Sequence, residues 1–166
     1  MTRVGLSILG ALLLSGCGLR PLYADGSGGA VASTLRSVAV APIEGQIGWL
    51  VHNKLTERLG GDGGEGAAYR LEVELDDNVT GFGIRGDRAA TRERRTLRAR
   101  YQLIDLRNGG VVLDATAGSD AGIDVVSSEY ATVAAEQTAG ERLSEVVADQ
   151  IVARLGLFAS RTAPSP

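Results

Sequence analysis

The chain of 166 residues contains one cysteine, one histidine, one tryptophan and one methionine, and only 4% of it is aromatic. A single cysteine cannot close an intramolecular disulfide. With a single histidine beside it, it cannot build a zinc cage within the chain. A surplus of positive charge is also missing: the formal net charge is −3, which excludes a general nucleic-acid binder. No apolar run approaches the roughly 20 residues that a membrane-crossing helix needs. What remains is 44% apolar and 22% charged residues with 23 glycines. That is the composition of a globular domain with an aliphatic interior and many glycine turns.

The first residues read as an address. Met1-Thr2-Arg3 is a basic head, Val4 to Leu14 is an apolar run, and Ser15-Gly16 are small. This is a secretory signal peptide, expected to be removed as residues 1–16. Leu14-Ser15-Gly16-Cys17 resembles a bacterial lipobox, in which the cysteine takes an S-diacylglycerol group and then an N-acyl chain. Two or three buried acyl chains anchor a protein durably, where one does not. Gly18, rather than an aspartate, fits an outer-membrane destination on the periplasmic face.

Residues 17–34 carry Gly18, Pro21, Gly26, Gly28 and Gly29 without apolar periodicity, and read as a lipidated tether. Residues 35–158 read as one α+β domain, and 159–166, with two prolines, as a disordered tail. Within the domain, Ser37 to Ile43 predicts a first strand, closed by Pro42. Ile47, Leu50, Val51, Leu55 and Leu59 recur at helical spacing, with Gly60 as the stop. Tyr69, Leu71, Val73 and Leu75 alternate with Arg70, Glu72, Glu74 and Asp76, and Gly81, Gly83 and Gly86 interrupt that pattern. Leu97, Ala99, Tyr101 and Leu103 alternate with Arg98, Arg100 and Gln102, and Asn108-Gly109 turns the chain into a further strand at Val111. A long amphipathic helix follows from Ser128, weakened at Gly140 and ending at Gly156. The order β-α-β-β-β-α predicts a two-layer sandwich: a four-stranded mixed sheet with two helices packed on one face and a polar opposite face.

Motifs for catalysis are poor. Gly61 to Gly66 spells G-x-G-x-x-G, but it follows a helix and precedes a strand, and Asp62 and Glu65 repel phosphate. His52 has no G-x-S-x-G partner motif. Asp76-Asp77-Asn78 lacks the glycine and distant glutamate of a calcium loop. No enzyme activity, metal or cofactor is expected beyond the lipid on Cys17. Arginine, by contrast, is concentrated. Arg85, Arg88, Arg92, Arg94, Arg95, Arg98 and Arg100 face only Asp87 and Glu93, a net +5 over residues 85–100. Three readings stand: contact with an anionic ligand, contact with an acidic partner surface, or cross-strand pairing with Glu72 and Glu74 plus a solvated hairpin loop.

Six stretches, in order, resemble one family. Cys17-Gly18-Leu19-Arg20-Pro21-Leu22-Tyr23 is similar to the C-G-[FL]-[RQ]-P-L-Y opening of alphaproteobacterial lipopolysaccharide-assembly lipoproteins, the LptE family. Gly45-Gln46 with His52-Asn53-Lys54-Leu55 and Leu59 resembles its first helix. Asp87 to Arg92 resembles D-x-x-A-T-R, and Ala99 to Leu103 resembles A-x-Y-x-L. Ser128 to Thr132 with Ala135-Glu136, and Ala148-Asp149-Gln150-Ile151, resemble the start and end of its last helix. The resemblance implies a non-catalytic plug and assembly factor in the outer membrane. Its implied partners are the β-barrel LptD and lipopolysaccharide, with no nucleic acid. A different class with a similar lipobox and small α+β domain is the auxiliary lipoprotein of an ABC-type lipid transport system.

Overall fold

The two alternating stretches become strands, and longer ones than their pattern marks. The computed structural model describes residues 29–61, 64–84 and 90–162. Its elements run α1 (Ala30–Arg36), β1 (Val38–Val40), α2 (Gly45–Leu59), β2 (Tyr69–Ile84), β3 (Ala90–Asp105), β4 (Val111–Asp124) and α3 (Glu129–Thr162). The strands form one sheet in the order β1-β2-β3-β4. β1 is parallel to β2, and the other neighbours are antiparallel. The expected four-stranded mixed sheet with two packed helices is therefore present, with the short α1 added in front. α1 lies partly within the stretch read as tether. It is held because Leu35 is buried and Val31 packs against the core.

Register decides which side chains meet. Leu71, Leu103 and Leu113 share one row, Val73, Tyr101 and Ala115 the next, and Leu75, Ala99 and Ala117 a third. These rows face α2, through Val51, Leu55 and Leu59, and α3, through Leu143, Val147, Ala148, Ile151 and Leu155. Removing each such aliphatic side chain from water contributes roughly 1.5–3 kcal/mol.

The helix ends follow their sequence signals in part. Gly60 closes α2 at φ 85°, with its N–H donated to the Thr56 carbonyl. Ser128 opens α3 by accepting the Ala131 N–H on its Oγ at 3.4 Å. Gly156, however, does not end α3. The next turn still has something to bury: Ala159 is fully enclosed, and Phe158 meets Tyr69 edge-on at 5.8 Å. Nor do Gly81 and Gly83 stop β2, because Gly81 pairs with Glu93 and Phe82 with Arg92. β2 and β3 are 16 residues each, so the arginines from 92 to 100 sit on a strand and not on a loop.

Candidate functional site

Alternation sends the even-numbered residues of the three long strands to the face away from the helices. Glu72, Gln102 and Asp114 form one row there, Glu74, Arg100 and Thr116 the next, then Asp76, Arg98 and Gly118. Towards the β2–β3 turn the rows continue as Asn78, Thr96 and Asp120, then Thr80, Arg94 and Gly122, then Phe82, Arg92 and Asp124. The strand β3 thus carries Arg92, Arg94, Arg98 and Arg100 on one face, spread over roughly 27 Å at 3.4 Å per residue.

Three of these arginines turn to β4. Arg92 is 3.1 Å from Asp124, Arg94 is 3.8 Å from Asp120, and Arg100 is 3.1 Å from Asp114. Gln102 donates to the same Asp114 at 2.9 Å. The Arg100 and Gln102 hydrogen bonds hold the Asp114 carboxyl below its ordinary range, and the same bond raises the Arg100 guanidinium. Arg94 also lies over the Phe82 ring, 5.5 Å from its centroid. Arg98 makes no ion pair among the described residues; it lies across Gly118, where an added Cβ would come within 2.6 Å of its Cδ. The paired arginines are 59–66% exposed. Exposed pairs of this kind are worth about 0–1 kcal/mol, so an incoming anion can replace the carboxylate partner.

Beside this row is a depression of about 540 Å³, lined among others by Glu74, Asp76, Arg98, Arg100, Thr116 and Gln150. Gln150 reaches it from α3 by bridging the edge of the sheet. Its Oε1 accepts the Gly118 N–H at 3.0 Å, and its Nε2 donates to the Gly118 carbonyl at 3.3 Å. Nothing in the amide's own pattern marks this role. The glycine in an alternating strand was the available signal, since a side chain there would meet Arg98.

Arg95 does not belong to the row. It points to the helix side, where Nε and Nη2 donate to Asp77 at 2.9 and 2.6 Å and Nη1 donates to the Glu136 carbonyl at 2.7 Å. Its side chain is 14% exposed, and its guanidinium is raised chiefly by the bond to Asp77. Arg98 and Arg100 do not use Glu72 and Glu74: Arg100 stands opposite Glu74 yet bonds Asp114, and Glu72 bonds Arg70 at 2.8 Å. Cys17, Arg85 and Arg88 lie outside the described residues. Among the described residues no cluster of histidine, cysteine or carboxylate side chains could hold a metal ion.

A family model described as lipopolysaccharide-assembly, LptE, matches residues 35–155. The chain belongs to the LptE family. It is a lipopolysaccharide-assembly protein, and the family's part in that assembly is non-catalytic. A candidate lipoprotein from Caulobacter crescentus is 27% identical, with a TM-score of 0.67 over 82% of this chain and 100% of that one. The minor lipoprotein of Acinetobacter baumannii is 14% identical, with a TM-score of 0.60 over 74% of this chain and 92% of that one. The rare lipoprotein B of Shewanella oneidensis is 9% identical, with a TM-score of 0.55 over 75% of this chain and 96% of that one. The latter two likenesses are of fold alone. Comparison with curated proteins gives no match.

Proposed function

We propose that this LptE-family chain is anchored by lipid on Cys17 to the periplasmic face of the outer membrane. There it partners the LptD β-barrel and presents its open sheet face to lipopolysaccharide. The observation that carries this reading is the row Arg92, Arg94, Arg98 and Arg100 on one face that no described element covers, three of them paired with exposed carboxylates and Arg94 also resting on the Phe82 ring. Guanidinium groups in series suit the phosphates of a glycolipid, and they act most strongly where a barrel wall excludes water. Arg85 and Arg88, close in sequence, add to the same charge. Arg95 holds the fold and is not part of the contact surface. The opening from Cys17 to Tyr23 and the Caulobacter likeness support the alphaproteobacterial branch of the family.

The test is co-purification of the full-length chain from its native envelope. A large outer-membrane β-barrel is expected with it, and C17S is expected to lose the mass of the lipid and most of the membrane retention. A chain recovered as a free periplasmic monomer contradicts the partnership. Unchanged mass and fractionation in C17S contradict the anchor.

A further inference from the structure

The two long edges of the sheet are treated differently. On β4 the Gly118 backbone is capped in both directions by Gln150. On β2 the neighbouring strand β1 stops after three residues, paired with Tyr69, Arg70 and Leu71. The last bond from the β1 segment to that side runs from the Ala41 N–H to the Leu71 carbonyl at 2.9 Å. On the other side of β2, the Leu106 N–H reaches the Ala68 carbonyl at 3.0 Å, so even-numbered residues of β2 bond β3 and odd-numbered ones face outward. Beyond Leu71, the backbone groups of Val73, Leu75, Asp77, Val79 and Gly81 therefore line an edge with no strand on it among the described residues. Edges are ordinarily blunted by charged side chains, lysine above all, by proline or by cover, and this one carries acidic charge alone. From residue 72 to 84 this one has no lysine, arginine or proline.

The side chains along the edge indicate what would fit. Towards the open face stand Glu72, Glu74 and Asp76. Glu72 has Arg70, but Glu74 and Asp76 have no ion pair among the described residues, because Arg100 leans to Asp114 and Arg98 lies over Gly118. A depression of about 370 Å³ lies alongside, lined by Glu72, Val73, Glu74, Arg100 and Gln102. Towards the helices stand Val73 and Leu75, only partly buried, and Val79, 47% exposed.

We propose that the free edge of β2 from Val73 to Gly81 accepts an extended segment of a partner protein whose side chains alternate between apolar and basic. Main-chain bonds to the odd-numbered residues hold the segment. Its basic side chains meet Glu74 and Asp76, and its apolar ones cover Val73, Leu75 and Val79. The sheet's charge order then becomes acidic on β4, basic on β3, acidic on β2 and basic on the guest. A second copy of this chain fits poorly, since it would bring Glu72, Glu74 and Asp76 against their own kind.

The experiment titrates the full-length chain with a blocked nine-residue peptide of alternating arginine and valine, and reads amide hydrogen exchange by NMR. Two further peptides serve as controls: one with glutamate for arginine, and one N-methylated at alternate backbone positions. The expected result is at least tenfold slower exchange at Val73, Leu75, Asp77 and Val79. Glu72, Glu74, Asp76 and Asn78, already bonded to β3, should change little. Both control peptides should bind at least tenfold more weakly. Equal binding of the N-methylated peptide would show charge attraction without strand addition and would overturn the proposal. So would protection of the odd-numbered amides before any peptide is added: with a monomer's mass that means cover by another part of the chain, and with a doubled mass a second copy.

Discussion

Along the helix-covered side of β3 the chemistry changes at Leu97. From Leu97 through Ala99 and Tyr101 to Leu103 the residues are apolar and buried, under both α2 and α3. Before Leu97 the same side carries Arg95 and Glu93, opposite Val79 and Gly81, with Glu136 of α3 close by. The near half of the sheet is thus held by area removed from water. The far half, towards the β2–β3 turn, has a smaller apolar contact, Ile123 opposite Glu93 with Ala121 beside it, and adds the directed bonds of Arg95 to Asp77 and to the Glu136 carbonyl of α3. The difference teaches where each half is vulnerable: hydrophobic contacts tolerate changes of charge state, whereas directed bonds answer to pH and to single atoms.

The comparison is most forcefully broken in the near half. Ile151→Ala removes a fully buried side chain and is expected to destabilise the whole domain by about 2–5 kcal/mol. Denaturant titration would read this as a lowered midpoint. A loss confined to one segment would show that the aliphatic core is not common to the domain. Arg95→Ala comes next, at about 1.5–3 kcal/mol, because it deletes charged hydrogen bonds to Asp77 and a bond to the Glu136 carbonyl. Its effect should be local: amide exchange should quicken over 129–140 and the far hairpin, and stay slow over 143–155. Gly140→Ala is smaller. Alanine in a helix ordinarily gains about 1 kcal/mol over glycine. Here its Cβ would lie 2.6 Å from Arg95 Nη1 and 2.9 Å from Ile47 Cδ1, so a net loss of about 1 kcal/mol is expected. Measured in the Arg95→Ala background, that loss should shrink.

The smallest effect sharpens the comparison through pH. Burial, then the charge of Glu136 and a bond to it, raises the Glu93 carboxyl above its usual range. A raised acid stabilises the fold fully below the ordinary carboxyl range, and that contribution is lost as pH rises through the raised value. Protection of the far half, taken relative to an unfolded amide at the same pH, should therefore be lower at neutral pH than at mildly acidic pH, and Glu93→Gln should abolish that difference. The near end holds the opposite case. Asp105, buried at the β3–β4 turn, is lowered to about 2, first by the Arg107 side-chain bond and then by the Arg107 N–H. Its contribution is present above the ordinary range and is lost as pH falls through about 2. Parallel pH responses of the two halves would contradict the division.

The near half was legible in the sequence because its signals are periodic. Alternation marked Tyr69 to Asp76 and Leu97 to Leu103, and the 3- and 4-residue steps marked α2 and α3. Asn108-Gly109 made its turn as expected, with Gly109 at φ 70°. The far half was not legible, because its residues obey the alternation only once the register is known. Arg95 looks like its neighbours in sequence and differs only in which face it takes. Gly140 reads as a weak point in a helix but is the space in which the Arg95 guanidinium lies. The candidate site was legible in residue type, as an arginine run, but not in partners: Asp114, Asp120 and Asp124 come from a strand that the sequence marks only in its first residues. The short α1 escaped notice because Val31 and Leu35 are too few to set a period.

The open-face arginines carry the account's central claim, and titration of the purified full-length chain with lipopolysaccharide at rising salt tests it most directly. The double variant R94E/R98E, with its fold checked by amide exchange, should bind at least tenfold more weakly. Its affinity should also fall less steeply with salt than that of the unaltered chain. Unchanged affinity and unchanged salt dependence in a folded R94E/R98E chain would contradict the claim.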